Sequence, residues 1–160
     1  MNVQLVRATV EDLNYLYDMQ VKAFMPLLKK YEDYDTSPAN EPIERTLQRI
    51  NYGFGMFYKI IDDGEPVGGI RILWWENTTR FRLGLIFVLP KYQGKGIAQG
   101  SIKMVENLYP HATSWELDTI LQEKGNCYLY EKMGYRQTGE IKVINDRLSL
   151  VYYKKELSKT

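Results

Sequence analysis

Apolar and polar positions along this chain follow two periods, and the switches between them mark its elements. Residues 3–8 (Val-Gln-Leu-Val-Arg-Ala) read as a short strand. Thr9, followed by Glu11 and Asp12, reads as a helix start. A side-chain oxygen caps free N–H groups there, and acids sit at the positive end of the helix dipole. Leu13, Leu16, Gln20, Ala23 and Leu27 then keep near-helical spacing. Pro26 is expected to kink or end this helix, because its ring removes a donor and crowds the preceding turn. Residues 31–42 read as a loop and 43–52 as a second helix. Two strands, 56–61 and 67–75, flank Asp62-Asp63-Gly64-Glu65-Pro66, where Gly64 suits a positive φ. A turn at Glu76-Asn77-Thr78-Thr79 leads to an apolar strand, 81–89.

A helix over 94–108 follows, with Ile97, Met104, Val105 and Leu108 on one side and Pro110 just beyond its end. Residues 115–121 read as a strand and 126–133 as a short helix closed by Gly134. Residues 135–144 and 147–155 form a last hairpin around Asn145-Asp146. The order β α α β β β α β α β β predicts an α/β fold: a mixed, mostly antiparallel central sheet of about seven strands flanked by helices. No linker or repeat is visible, so residues 1–160 are expected to form one domain.

Composition narrows the function classes. The net charge is +1, so nothing global attracts nucleic acid or an anionic membrane. No apolar run approaches the roughly 18 residues needed to span a bilayer. The N-terminus lacks a basic-then-apolar leader pattern, and the single cysteine, Cys127, cannot form an internal disulfide. A cytoplasmic protein is the expectation. No Cys/His cluster has metal spacing, so no metal is expected. Cys127 reads as a packing residue and His111, the only histidine, as a loop surface residue.

The candidate chemistry lies at Gln93-Gly94-Lys95-Gly96-Ile97-Ala98, between a strand and a helix. A helix N-terminus has unpaired N–H groups and partial positive charge, and glycines let the backbone close around an anion. A Walker A loop fails here, since Leu89 stands where its first glycine is needed and Gly96 where Ser or Thr is needed. A dinucleotide fingerprint fails at Gln99, where its third glycine belongs. The pattern [Q/R]-x-x-G-x-[G/A] fits at Gln93, Gly96 and Ala98.

That pattern resembles the GNAT family, the GCN5-related N-acetyltransferases. A second segment, Leu129-Tyr130-Glu131-Lys132-Met133-Gly134-Tyr135, looks like that family's Y-x-K-x-G-[F/Y] stretch on its last helix, in the right order. The opening Val6-Arg7-Ala8-Thr9-Val10-Glu11-Asp12 also resembles the family's first strand and helix start. The resemblance implies acetyl-CoA as co-substrate, in a V-shaped opening between strands 81–89 and 115–121. The backbone of Ile86, Phe87 and Val88 would pair with the pantetheine arm. Gln93, Gly94, Lys95, Gly96, Ile97 and Ala98 would hold the pyrophosphate. A primary amine would attack the thioester directly, without an acyl-enzyme. An N–H near Phe87 or Val88 would hold the oxyanion, and Tyr130 would protonate the departing thiolate.

The chain departs from the family at Glu123, where many members have Asn. Asn126, one turn before Tyr130, either contacts the pantetheine arm or caps the short helix. The apolar strand 81–89 carries no carboxylate, so the base is sought at Glu116, Asp118 or Glu76, or in a water chain. Trp74 and Trp75 must face opposite ways, one into the core and the other toward an acceptor pocket. The acids Glu32, Asp33, Asp35, Glu41 and Glu44 would draw a cationic amine, or serve only as a solvated loop. A module that binds acyl-CoA without chemistry is the alternative. The acceptor and the oligomeric state, for which the family offers a homodimer, stay open.

Overall fold

The computed structural model describes residues 2–75 and 79–157. Seven strands and four helices follow in the predicted order. Strand β1 (Val3–Arg7) leads through a 3-10 turn into helix α1 (Leu13–Tyr31). The Thr9 N–H donates to Asp12 Oδ2 at 2.8 Å, and Lys59 reaches Asp12 at 3.2 Å, so the predicted helix start is also a clamp onto the sheet.

Of the two outcomes expected of Pro26, a kink or an end, the end does not occur. The helix continues to Tyr31, and Leu28 and Tyr31 beyond the proline are buried. An interior proline costs about 3 kcal/mol. Burying one large apolar side chain returns roughly 1.5–3 kcal/mol. Two such residues on the extra turn outweigh the lost bond. Glu32, in the left-handed region at φ 54°, ends the helix, and its N–H donates to the Leu28 carbonyl at 2.7 Å.

Helix α2 (Ile43–Asn51) precedes the antiparallel strands β2 (Gly55–Asp62), β3 (Glu65–Trp74) and β4 (Arg80–Val88). Helix α3 (Ile97–Leu108), strand β5 (Ser114–Ile120), helix α4 (Lys124–Lys132) and the hairpin β6 (Arg136–Val143) and β7 (Ser149–Glu156) complete the chain. The sheet order is β1-β2-β3-β4-β5-β7-β6, and only β4 and β5 run parallel. Its larger core joins Ile70, Ile72, Leu83 and Leu117 to Ile102 and Val105 of α3 and Tyr130 of α4. On the opposite face, Leu16, Met19 and Ala23 of α1 cover Phe57 and Phe87.

Two smaller expectations need correction. Leu108, assigned to the packed side of α3, is exposed, and Ser101 and Ile102 are buried instead. The space at that end of the sheet is filled by Tyr109, whose ring lies 5.0 Å from Phe81. Trp74 packs on Phe81 and Tyr109, as one of the tryptophan pair should. Trp75 is not among the residues that line the cavity between β4 and β5: it is exposed, with the Arg80 guanidinium 4.4 Å above its ring. Strand β6 is exposed along its whole length, as an edge strand without a helix over it.

Candidate active site

Among the described residues, strands β4 and β5 are paired at three positions: Arg80 with Ser114, Phe81 with Trp115, Arg82 with Glu116. Beyond these, β4 stays on β3 as far as Val88, while β5 stays on β7 as far as Ile120. The two strands part in the middle of the sheet. The bend has a local cause. The register of β4 on β3 slips between Leu83 and Leu85, so Gly84 is an extra residue, and a bulge turns the strand. A Cβ at Gly84 would lie 2.6 Å from the Leu73 side chain, which would have to shift to admit it.

The opening is a cavity of about 280 Å³. One wall is Leu83 to Ile86 of β4; the other is Leu117 to Ile120 of β5 with Asn126 and Tyr130 of α4. The rim consists of Phe24, Leu27 and Tyr31 of α1, the loop residues Asp33 and Thr36 to Pro38, and Leu148 and Leu150.

At the far end of β4 the chain makes a 3-10 turn, Pro90–Tyr92, and enters α3 through the glycines. Gly94 and Gly96 take φ of 75° and 82°, a region other residues reach only with strain. Gly96 is the N-cap of α3, and no side chain caps its first turn. The side chains of Gln93 and Ile97 have other employment. Gln93 Nε2 donates to the Val88 carbonyl at 2.9 Å and staples the turn to the strand end, and Ile97 is buried in the core. What these two offer a ligand is backbone. Lys91 and Lys95 place ammonium groups 5.2 and 5.6 Å from the Tyr92 ring, adding charge beside the turn.

Tyr130 lines the cavity from below and packs edge-on against Tyr135 at 6.1 Å and beside Tyr153 at 6.2 Å. Burial pushes its phenol up to about 12, helped by the neighbouring Asp118 and Cys127. The proton is therefore held firmly at neutral pH. Asn126 lines the same cavity. The cap position of α4 belongs to Glu123, so Asn126 is no cap. Cys127 packs, with its thiol turned to the Ile120 and Leu121 carbonyls.

Among the candidate bases, Glu116 is not brought to the cavity. It lies where β4 and β5 are still paired, and Arg80 donates to it at 3.0 and 3.2 Å. Asp118, two residues on and past the split, lines the cavity and is ion-paired with Arg82. Glu76 lies outside the described residues. Of the acids after α1, only Asp33 lines the cavity; it accepts from the Thr36 N–H at 2.9 Å and from the Thr36 hydroxyl. Glu41 is taken up by Arg49 and Gln20, and Glu32 by Arg147. The Asp33-x-x-Thr36 spacing, a side-chain turn, was the available signal that this acid is held in place.

Glu123 has a partner that the sequence reading missed. Its carboxylate accepts from Lys30 Nζ at 2.8 Å and from the Tyr31 hydroxyl, tying the end of α1 to the start of α4. Asn145 Nδ2 adds a third corner, donating to the Tyr31 carbonyl at 3.1 Å. These bonds, from Lys30 first and Tyr31 second, hold the Glu123 carboxyl below its usual range. A depressed carboxylate stabilises the fold above the ordinary glutamate pKa of about 4.3 and loses that effect as pH falls through the lower folded value. Glu123→Gln should therefore be less stable than wild type at pH 7, with the gap closing below about pH 4. Urea midpoints across pH test this; a gap independent of pH would remove the ion pair as its cause.

A model of the acetyltransferase (GNAT) family matches residues 13–135. The uncharacterized protein YrkN of Bacillus subtilis (strain 168) is 30% identical over 111 residues, which are 68% of this chain and 59% of YrkN. The chain thus spans about 59% of the length of that relative. Among solved structures, the ribosomal-protein-S18-alanine N-acetyltransferase of Escherichia coli aligns with a TM-score of 0.78 at 12% identity, over 99% of this chain and 96% of that one. Spermidine N-acetyltransferase of Vibrio cholerae, in complex with CoA and spermine, aligns with a TM-score of 0.77 at 15% identity, over 97% and 95%. At such identities the likeness is one of fold.

Proposed function

Since this chain belongs to the acetyltransferase (GNAT) family, a family of acyl-CoA-dependent N-acyltransferases, we propose that it moves an acetyl group from acetyl-CoA to a primary amine by direct attack. The observation that carries the reading is the split between β4 and β5, which opens a cavity with Tyr130 at its floor, on the strand that runs on into the glycine turn.

The residues present fit a CoA thioester. The glycine turn offers a helix N-terminus without a side-chain cap, with Lys95 beside it, suited to a pyrophosphate. The freed edge of β4 would offer backbone groups to an amide-bearing arm, at Ile86 in the cavity wall and at Phe87 and Val88 beyond it, where the Val88 carbonyl already accepts from Gln93; Asn126 lines the same cavity from α4. Acetyl-CoA supplies a thioester carbonyl to which the amine nitrogen adds and from which the thiolate leaves. A backbone N–H near Phe87 or Val88 stabilises the charge on the carbonyl oxygen. Tyr130 gives its proton to the sulfur as the C–S bond breaks. Asp118 is the carboxylate best placed to take the proton from the amine, directly or through water. Residues 1–160 act as one such domain, in a cytoplasmic setting.

The test is a screen of amines with the purified protein and acetyl-CoA, following release of free thiol. Turnover of an amine supports the reading. Acetyl-CoA bound but no amine turned over would leave a binding module, and absence of binding by the folded protein would sink both.

A further inference from the structure

Arg71 stands in the middle of β3, on the face covered by α1 and α2, and among the described residues it has no ion-pair or hydrogen-bond partner. Its Nε is fully buried and unsatisfied. Among the described residues, the favourable neighbour of its charge is the Tyr52 ring, 5.3 Å away. The other charged groups near it are Arg49 and Arg45, both of its own sign. Arg49 is neutralised by Glu41, which leaves Arg71 and Arg45 in excess. Burial first, and these arginines after it, press the Arg71 guanidinium toward losing its proton. A guanidinium keeps its charge, however, and a half-buried one with no anion to face is costly.

The guanidinium lies next to the site already described, behind Gly84 and outside the cavity lining. A Cβ on Gly84 would lie 3.0 Å from Arg71 Nη1, and Gly84 lines the cavity. Leu85, opposite Arg71 in register, lines it too. The acids of the cavity are elsewhere. Asp118 is on β5, two strands across, and already bound to Arg82; Asp33 is on the loop after α1 and held by Thr36. Adjacent strands lie about 4.8 Å apart, so a cation on β3 and the opening beyond β4 are separated by little more than a small molecule's length.

We propose that Arg71 is a specificity-determining residue: its guanidinium receives an anionic group, a carboxylate or a phosphate, carried by the acceptor amine. The inference rests on the acetyltransferase reading and deepens it. The acceptor is then a compact amine that bears its own negative charge, such as an amino acid or an amino-alcohol phosphate, and not a polyamine. Bidentate recognition of a carboxylate or phosphate by an Arg fork accounts for the choice of Arg over Lys at this place.

The experiment compares matched probes: amino acids against their amides and their decarboxylated amines, and O-phosphoethanolamine against ethanolamine. Wild type, Arg71→Lys and Arg71→Gln are each shown to be folded by circular dichroism. Steady-state rates are read by thiol release, and binding without turnover by titration calorimetry in the presence of CoA. The expected result is a preference for the anionic member of a pair. Arg71→Gln should raise its KM roughly 10- to 100-fold, the loss of a charge-assisted pair, with kcat and the acetyl-CoA KM within about twofold. Arg71→Lys should recover part of the loss, and the uncharged partners should not respond. Preference among carboxylates or for the phosphate distinguishes the two sources. The proposal is overturned if no anionic probe binds or reacts better than its neutral partner, or if Arg71→Gln weakens both classes alike. Anion binding that depends on Arg71 but is followed by no turnover would keep the subsite and remove the acetyltransferase reading.

Discussion

Gly96→Asp is expected to abolish measurable acetyl-CoA binding, a loss of at least about 100-fold, which corresponds to 2.7 kcal/mol. Two costs combine. The backbone at Gly96 sits at φ 82°, and a residue with a Cβ pays about 1–2 kcal/mol to stay there. A carboxylate at the N-cap of α3 also occupies the ground where the pyrophosphate would lie. Two unit charges about 4 Å apart repel by roughly 4 kcal/mol at the effective dielectric of a protein surface. Gly96→Ala separates the two, since it carries the strain without the charge and should lose only about 10-fold. Titration calorimetry of the three proteins decides the matter. Binding by Gly96→Asp within tenfold of wild type would move the phosphate site away from this turn.

Tyr130→Phe should lower kcat by about 10²- to 10⁴-fold, the usual contribution of a positioned proton donor, and leave the KM for acetyl-CoA within a few-fold. The ring contacts with Tyr135 and Tyr153 survive the change, and so should the fold. With its phenol pushed up to about 12, Tyr130 keeps its proton across the neutral range. The sign of the linkage follows. A phenol raised above its unfolded pKa of about 10 leaves stability intact below pH 10, and stability falls between about 10 and about 12 as the unfolded chain ionises first. An alkaline limb in kcat below pH 10 therefore belongs to another group. If Tyr130→Phe turned over amine at a wild-type rate, the thiolate would be leaving without help from this phenol.

The strand and helix order was legible in the sequence because each apolar stripe here has a clean period and most turns carry Gly or Pro. The glycine turn was legible for the same reason: few residues tolerate those backbone angles, so the motif must be written in glycine. The end that Pro26 suggested does not occur, because local propensity carries no record of Leu28 and Tyr31 being buried one turn later. Glu116 and Asp118 look alike in sequence, two acids on one face of a strand. Only the point at which β4 and β5 part, set by the Gly84 bulge, puts one beside the cavity and the other outside it. The Glu123–Tyr31 bond joins residues 92 apart in the chain and leaves no local pattern. Arg71 did leave one, a lone charge within Val67-Gly-Gly-Ile-Arg-Ile-Leu-Trp74, but its meaning depended on which cations stand across from it.

The short seam between β4 and β5 has a mechanical consequence. Strands β1 to β4 form one leaf and β5 to β7 the other, and the ladder joins them at three residue pairs at one end only. Phe81 stacked on Trp115 at 5.0 Å, with the Arg80–Glu116 and Arg82–Asp118 ion pairs beside it, forms the spine of a half-opened book. A book of this kind needs no cover that swings shut. Its pages part where the pairing ends, and a guest laid between them would meet backbone groups that a longer ladder would have used up.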